Sequence, residues 1–128
     1  MTPETKYLLF SVILTFVQML IATTAAMLVV GLPTLAGNRE KFEEMPGFAG
    51  RARRLHFNMV ENMILFVPLV LVAVVAQKTN ATTGMGALIF FWARVVHALI
   101  YLLGVPWLRT GAWAVSVVGM VMIAMQLL

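Results

Sequence analysis

Arg51, Arg54, Asn58 and Glu61 recur at intervals of three and four, the spacing that lines one face of a helix. Arg94, His97 and Tyr101 repeat that spacing further along, and Arg109 and Thr110 follow after a short turn. Both sets lie in apolar surroundings, where a charge at the centre of a spanning helix costs about 2.5–3.5 kcal/mol and therefore tends to face a bundle interior and mark function. Counted at 1.5 Å per residue, Glu61 lies roughly 10 Å and Arg94 roughly 13 Å from the same end of their helices, so the two are expected to pair across antiparallel neighbours. A mouth with several cations and few acids suits an anionic guest beside a hydrophobic companion dissolved in lipid.

Each of these residues also has a purely structural reading. Glu61 with Arg94 can stitch two helices together, and His97 can be an interhelical hydrogen-bond partner. Tyr101 can be an interfacial aromatic like Trp107, and Thr110 can cap the last span. Arg51, Arg53 and Arg54 can set topology or meet lipid headgroups. His56 lies about 200° around the helix from Arg54, off the stripe. Two histidines are too few for a metal site, and none is expected. Ala22 with Ala26 and Ala112 with Ser116 read as helix-packing spacers, and the ten methionines as packing and lipid-facing filler.

The elements that hold these residues follow from composition. The chain has 128 residues, 62% hydrophobic and 11% charged, against about 25% charged in an ordinary soluble domain. Mean hydropathy is +0.96. An all-α integral membrane protein is expected, with four transmembrane helices in an antiparallel bundle and one domain over 1–128. The spans fall at about 7–32, 55–76, 84–103 and 110–128, with a polar loop over 33–54. Thr2, Pro3 and Glu4 form a helix start, with a hydroxyl cap, a first-turn proline and an acid at the positive end. The first apolar run exceeds the 7–15 residues of a signal peptide's core, which favours a span. Pro33 and Gly37 close it, Pro68 predicts a kink in the second span, and short turns predict antiparallel neighbours.

With no cysteine, disulfides, thiolate catalysis, iron–sulfur clusters and cysteine-ligated zinc are excluded, so any reactive sulfur comes from a substrate. The net charge of +4 is concentrated beside the spans, which fits a membrane bias rather than nucleic acid. Arg39, Lys41, Arg51, Arg53, Arg54 and Arg109 fall on one side, against Lys6 and Lys78 on the other. The first side is expected to be cytoplasmic, with both termini outside. Asn80, Ala81 and Thr82 match a glycosylation tripeptide, which is read as chance.

The segments RARRLHFNMVEN over 51–62 and ARVVHALIYLLGVPWLRTGAW over 93–113 resemble the MAPEG family, the membrane-associated proteins of eicosanoid and glutathione metabolism, and most closely its bacterial branch. The likeness extends over nearly the whole chain in span number, loop placement and both motifs. It implies a homotrimer of four-helix subunits in a bacterial inner membrane. It also implies glutathione bound as co-substrate between subunits near the cytoplasmic side, with a lipophilic electrophile or lipid hydroperoxide approaching from the bilayer. By motif position Arg54, Asn58 and Glu61 would hold glutathione, with Glu61 facing its amino end. Arg94, His97 and Tyr101 would complete the wall. Arg109 matches the arginine thought to stabilise the thiolate, and Thr110 stands where a serine assists in the prostaglandin E synthase. Arg39 corresponds to an arginine contributed by a neighbouring subunit.

What the resemblance implies is a microsomal-type glutathione S-transferase, with peroxidase activity as a companion. A thiol of pKa near 8.5 is mostly protonated at neutral pH, and a guanidinium beside it favours the attacking thiolate. Arginine suits this role because it stays charged and offers a planar fork to carboxylates. The family's lipoxygenase-activating protein keeps the fold without catalysis, so the alternative is a non-catalytic lipid-binding or scaffolding protein. Phe57 favours that alternative, because several glutathione-using members carry an arginine there. A channel or transporter fits less well, since the polar stripe stops in the cytoplasmic half.

Overall fold

The computed structural model describes residues 1–37 and 45–128, and its elements are all helical. They are α1 Pro3–Val30, α2 Leu32–Ala36, α3 Gly47–Val75, α4 Ala81–Leu103 and α5 Pro106–Leu127. The four long helices have the length and apolar character to cross a membrane, as the apolar runs predict. α3 and α4 lie between α1 and α5, which do not pack on each other among the described residues. α4 packs closely on its chain neighbour α5, the antiparallel pairing that the short turn predicts.

Local chemistry explains the helix ends. The Thr2 hydroxyl accepts from the Thr5 N–H at 3.3 Å, with Pro3 at the first helical position and Glu4 in the first turn. α4 opens with a capping box: Asn80 Oδ1 accepts from the Thr82 and Thr83 N–H groups at 2.9 and 3.0 Å, while Thr83 Oγ1 accepts from the Asn80 N–H at 2.8 Å. The amide in the supposed glycosylation tripeptide is thus a helix cap, and its Nδ2 donates to Gln126 at 2.8 Å. Gly104 ends α4 at φ 81°, a left-handed geometry that glycine adopts without a Cβ penalty.

Two local features differ from the sequence expectation. α3 starts at Gly47, so Arg51, Arg53 and Arg54 stand on its first turns and not in a loop; Pro68 lies inside this helix, as the span expected there requires. α5 starts at Pro106, which places Thr110 inside the helix, where its hydroxyl donates to the Pro106 carbonyl at 3.3 Å and does not cap. Proline at the first helical position starts the helix early because its missing N–H would be unpaired there anyway.

Two contacts set how the helices meet. Buried Glu4, 2% exposed, accepts from the Thr83 hydroxyl at 2.5 Å, so α1 and α4 run parallel with their starts level. Tyr7 and Phe10 continue that register, with ring centroids 5.9 and 5.6 Å from Phe91. α4 and α5 cross at Gly86 and Gly119, where a Cβ on either would lie 2.6 Å from the other's carbonyl oxygen. Only glycine permits that approach. Ala22, Ala26 and Ser116 are buried as expected of spacers, yet the tightest crossing uses this glycine pair, which the sequence reading does not single out. α3 closes on α4 through Phe66 and Phe90, stacked at 3.8 Å, with Met59, Met63, Val70, Met120 and Ile123 around them.

Gly119→Ala pushes its Cβ against backbone at Gly86 and Phe90, and overpacking of this kind costs about 1–3 kcal/mol. The expected result is a lower thermal unfolding midpoint in detergent. Gly111→Ala meets nothing within 4 Å on the same helix and should leave the midpoint unchanged or raise it. Equal effects at the two positions would contradict the crossing.

Candidate functional site

The site grows from one buried cation. Arg94 is fully buried on α4, where its Nη2 donates to Asn58 Oδ1 at 2.7 Å and its Nε points at Met59 Sδ at 3.3 Å, both on α3. Asn62, one turn further, donates from Nδ2 to the Asn58 carbonyl at 2.8 Å and to Asn58 Oδ1 at 3.3 Å. Asn58 Oδ1 therefore serves two donors and is fixed in direction. An amide oxygen has two lone pairs for this purpose.

Glu61 does not pair with Arg94. It is exposed, and no acid among the described residues joins Arg94 in an ion pair. Helical rotation gives the reason. Glu61 sits about 60° around α3 from Asn58, whereas Asn62 sits about 40° to the other side. The Asn58 face meets α4, so Asn62 turns in and Glu61 turns out. Arg54 is exposed as well and shares the Glu61 face within about 20°. The stripe expected on α3 is real, but it straddles the rim of the bundle. Asn58 and Asn62 belong to the inside, Arg54 and Glu61 to the outside.

A second chain of contacts runs along α4 toward the cationic end. His97, 2% exposed, lies one turn from Arg94, with its ring 5.4 Å from Tyr101. The Arg109 guanidinium stands 4.6 Å over the Tyr101 ring, a cation–π geometry. Tyr101 thereby separates a buried imidazole from a half-exposed guanidinium. Thr110 is exposed beside Arg109 on α5. Arg51 plays a different part, since its Nε donates to the Leu102 carbonyl at 3.2 Å and its stem lies against Gly104, closing the end of α4.

Of the residues expected to act, Asn58, Arg94, His97, Tyr101 and Arg109 are brought together on the inner and end surfaces, while Arg54, Glu61 and Thr110 stand outside them. Arg39 lies outside the described residues. Phe57 is exposed, and the Arg53 guanidinium lies 5.2 Å over its ring. His56, off the stripe as predicted, lines a separate crevice of about 400 Å³ with Met19, Ala22, Thr23 and Arg53. Sequence reasoning missed Asn62 and Met59. The signal for Asn62 was its spacing of four from Asn58, on the side away from Glu61. A crevice of about 700 Å³ lies at the opposite end between the starts of α1 and α4.

Arg94 Nη1 and His97 Nδ1 are buried with no hydrogen-bond partner among the described residues. Burying such groups unpaired costs about 1–3 kcal/mol each, so this buried layer is set to receive further acceptors or donors.

Asn58→Ala and Arg94→Gln should therefore be non-additive in unfolding free energy, by about 0.5–3 kcal/mol. Glu61→Gln and Arg94→Gln should add. A double-mutant cycle by denaturation in detergent decides between the two pairings.

The model of the MAPEG family matches residues 6–128. Neither among curated proteins nor among solved structures does any match this chain.

Proposed function

The chain belongs to the MAPEG family and is a multi-pass membrane protein, and from that premise we propose that it is a glutathione-dependent membrane transferase with peroxidase activity, acting on lipophilic electrophiles or lipid hydroperoxides. The observation that carries this reading is the line His97, Tyr101, Arg109, which leads from the buried layer to a guanidinium at the cationic end. Arg109 stabilises the thiolate of bound glutathione, and the Thr110 hydroxyl beside it orients the sulfur. Arg94, Asn58, His97 and Tyr101 hold the tripeptide from within the bundle. Arg54 and Glu61 reach it from the outer face of α3, with Glu61 taking the ammonium end and Arg39 entering from a neighbour. The thiolate attacks an electrophilic carbon, and as the C–S bond of the thioether forms the bond to the leaving group breaks and that group departs as an anion, chloride in the case of a chlorodinitrobenzene. With a hydroperoxide, two glutathione molecules give the disulfide, an alcohol and water. No metal is required.

The working assembly is a homotrimer. Support comes from Glu61, an exposed carboxylate within an apolar helix. A charge facing hydrocarbon costs several kcal/mol, so this face is covered by another copy. The cationic ends face the cytoplasm and both termini lie outside, in a bacterial inner membrane.

One observation favours a second reading, a lipid-binding or scaffolding protein without turnover. Phe57 is exposed and stacked by Arg53, where an arginine would contact glutathione in other members.

Titration calorimetry with glutathione, coupled to turnover of a chlorodinitrobenzene, separates these readings. Arg109→Ala should lower kcat about 100-fold, the scale for losing one donor to a developing anion. It should also move the pH–rate midpoint up toward about 8.5, because the guanidinium no longer favours the thiolate. Glu61→Ala should weaken binding. Absent binding in the unsubstituted protein would leave the scaffold reading.

A further inference from the structure

α1 carries one polar residue that nothing so far employs. Gln18 is 3% exposed, and among the described residues neither its Nε2 nor its Oε1 has a hydrogen-bond partner. It shares the buried face of α1 with Glu4 and Ser11, the three being seven residues apart and within about 40° of one another. On α4, Arg94 and His97 lie within about 40° of Thr83. The Glu4–Thr83 bond shows that these two faces meet.

The level agrees as well. α1 and α4 are parallel from that bond inward, and fourteen residues from Glu4 reach Gln18, as fourteen from Thr83 reach His97. Both lie about 21 Å down their helices. α3 gives the same answer independently, because Met19 lines one crevice with His56 and Phe57, adjacent in sequence to Asn58. Counting from these contacts puts Gln18, Asn58, Arg94 and His97 at one level of the bundle. That level gathers four buried atoms without partners among the described residues: both of Gln18, Arg94 Nη1 and His97 Nδ1. No second copy can reach Gln18, since its own subunit already buries it.

We propose that Gln18, Arg94 and His97 bind an internal water cluster, and that through it Gln18 is a positioning residue for the Arg94 guanidinium and the His97 imidazole. The ligand class follows from the atoms. Gln18 Oε1 accepts, Gln18 Nε2 and Arg94 Nη1 donate, and His97 Nδ1 does either, a mixed set that water serves because each molecule both donates and accepts. Buried waters typically make about three hydrogen bonds to groups left unpaired in this way. The consequence for glutathione binding rests on the function proposed above, while the water site itself does not.

The test uses the full chain in detergent without glutathione, comparing Gln18→Leu, Gln18→Glu and the control Ser11→Ala. An amide with no partners would be better replaced by leucine, so under that reading Gln18→Leu leaves the unfolding midpoint unchanged or raises it. The water site predicts a lower midpoint. It also predicts a changed nitrogen-15 shift at His97 Nδ1, which can be followed because the chain has two histidines. Ser11→Ala should leave that shift alone. Gln18→Glu, should the leucine variant not fold, places a carboxylate in reach of Arg94 through the waters and should keep or raise the midpoint. A drop with glutamate, or a His97 signal indifferent to Gln18→Leu, would overturn the proposal. Glutathione titration of Gln18→Leu should then show several-fold weaker binding. If the unsubstituted protein binds none, the transferase reading fails while the midpoint and nitrogen-15 results still decide the water site.

Discussion

A guanidinium buried in an apolar bundle, with no acid beside it among the described residues, governs how this protein is built. Arg94 can remain there only if neutral groups share its donors, because the desolvation cost of a lone cation exceeds what dispersion returns. Asn58 Oδ1 and Met59 Sδ take two of those donors, and Asn62 holds Asn58 in place. α3 and α4 must therefore keep one rotation relative to each other. A slip of one residue would turn Asn58 by about 100° and leave the cation without an acceptor.

The remaining contacts hold α4 so that this rotation persists. At one end Glu4 meets Thr83, and Asn80 caps the helix while reaching Gln126. At the other, Arg51 closes the last carbonyls. Between them the Gly86 and Gly119 backbones touch, and Phe66 stacks on Phe90. Apolar surface gives little drive for association between helices within lipid, so packing and hydrogen bonds of this kind carry specificity. The chain places them at the ends and the middle of the same helix.

The division of the α3 stripe links fold to assembly. Its inner half, Asn58 and Asn62, is satisfied within one subunit. Its outer half, Arg54 and Glu61, faces away from the bundle core. A site that needs both halves is complete only where a second subunit lies against that face, which is the arrangement proposed above. In that proposal, function and oligomerisation rest on a single helix viewed from its two sides.

Length, hydropathy and the positions of charge were enough to read four spans and the cationic end and to bring Asn58, Arg94, His97, Tyr101 and Arg109 forward as candidates, since those depend on local composition and on the 3.6-residue period. The helix starts at Gly47 and Pro106 lie several residues ahead of the apolar runs, which is all that hydropathy marks. The partner of Arg94 was not legible either. Depth along a helix follows from counting, so Glu61 and Arg94 were rightly placed near one level. Which of two residues about 60° apart faces a neighbour depends on how each helix is rotated, and packing at Glu4–Thr83, Gly86–Gly119 and Phe66–Phe90 fixes that rotation. Sequence alone determined what could do the chemistry; tertiary structure decided that Asn58 and not Glu61 meets the buried cation, because contact depends on helix rotation and spacing does not record it.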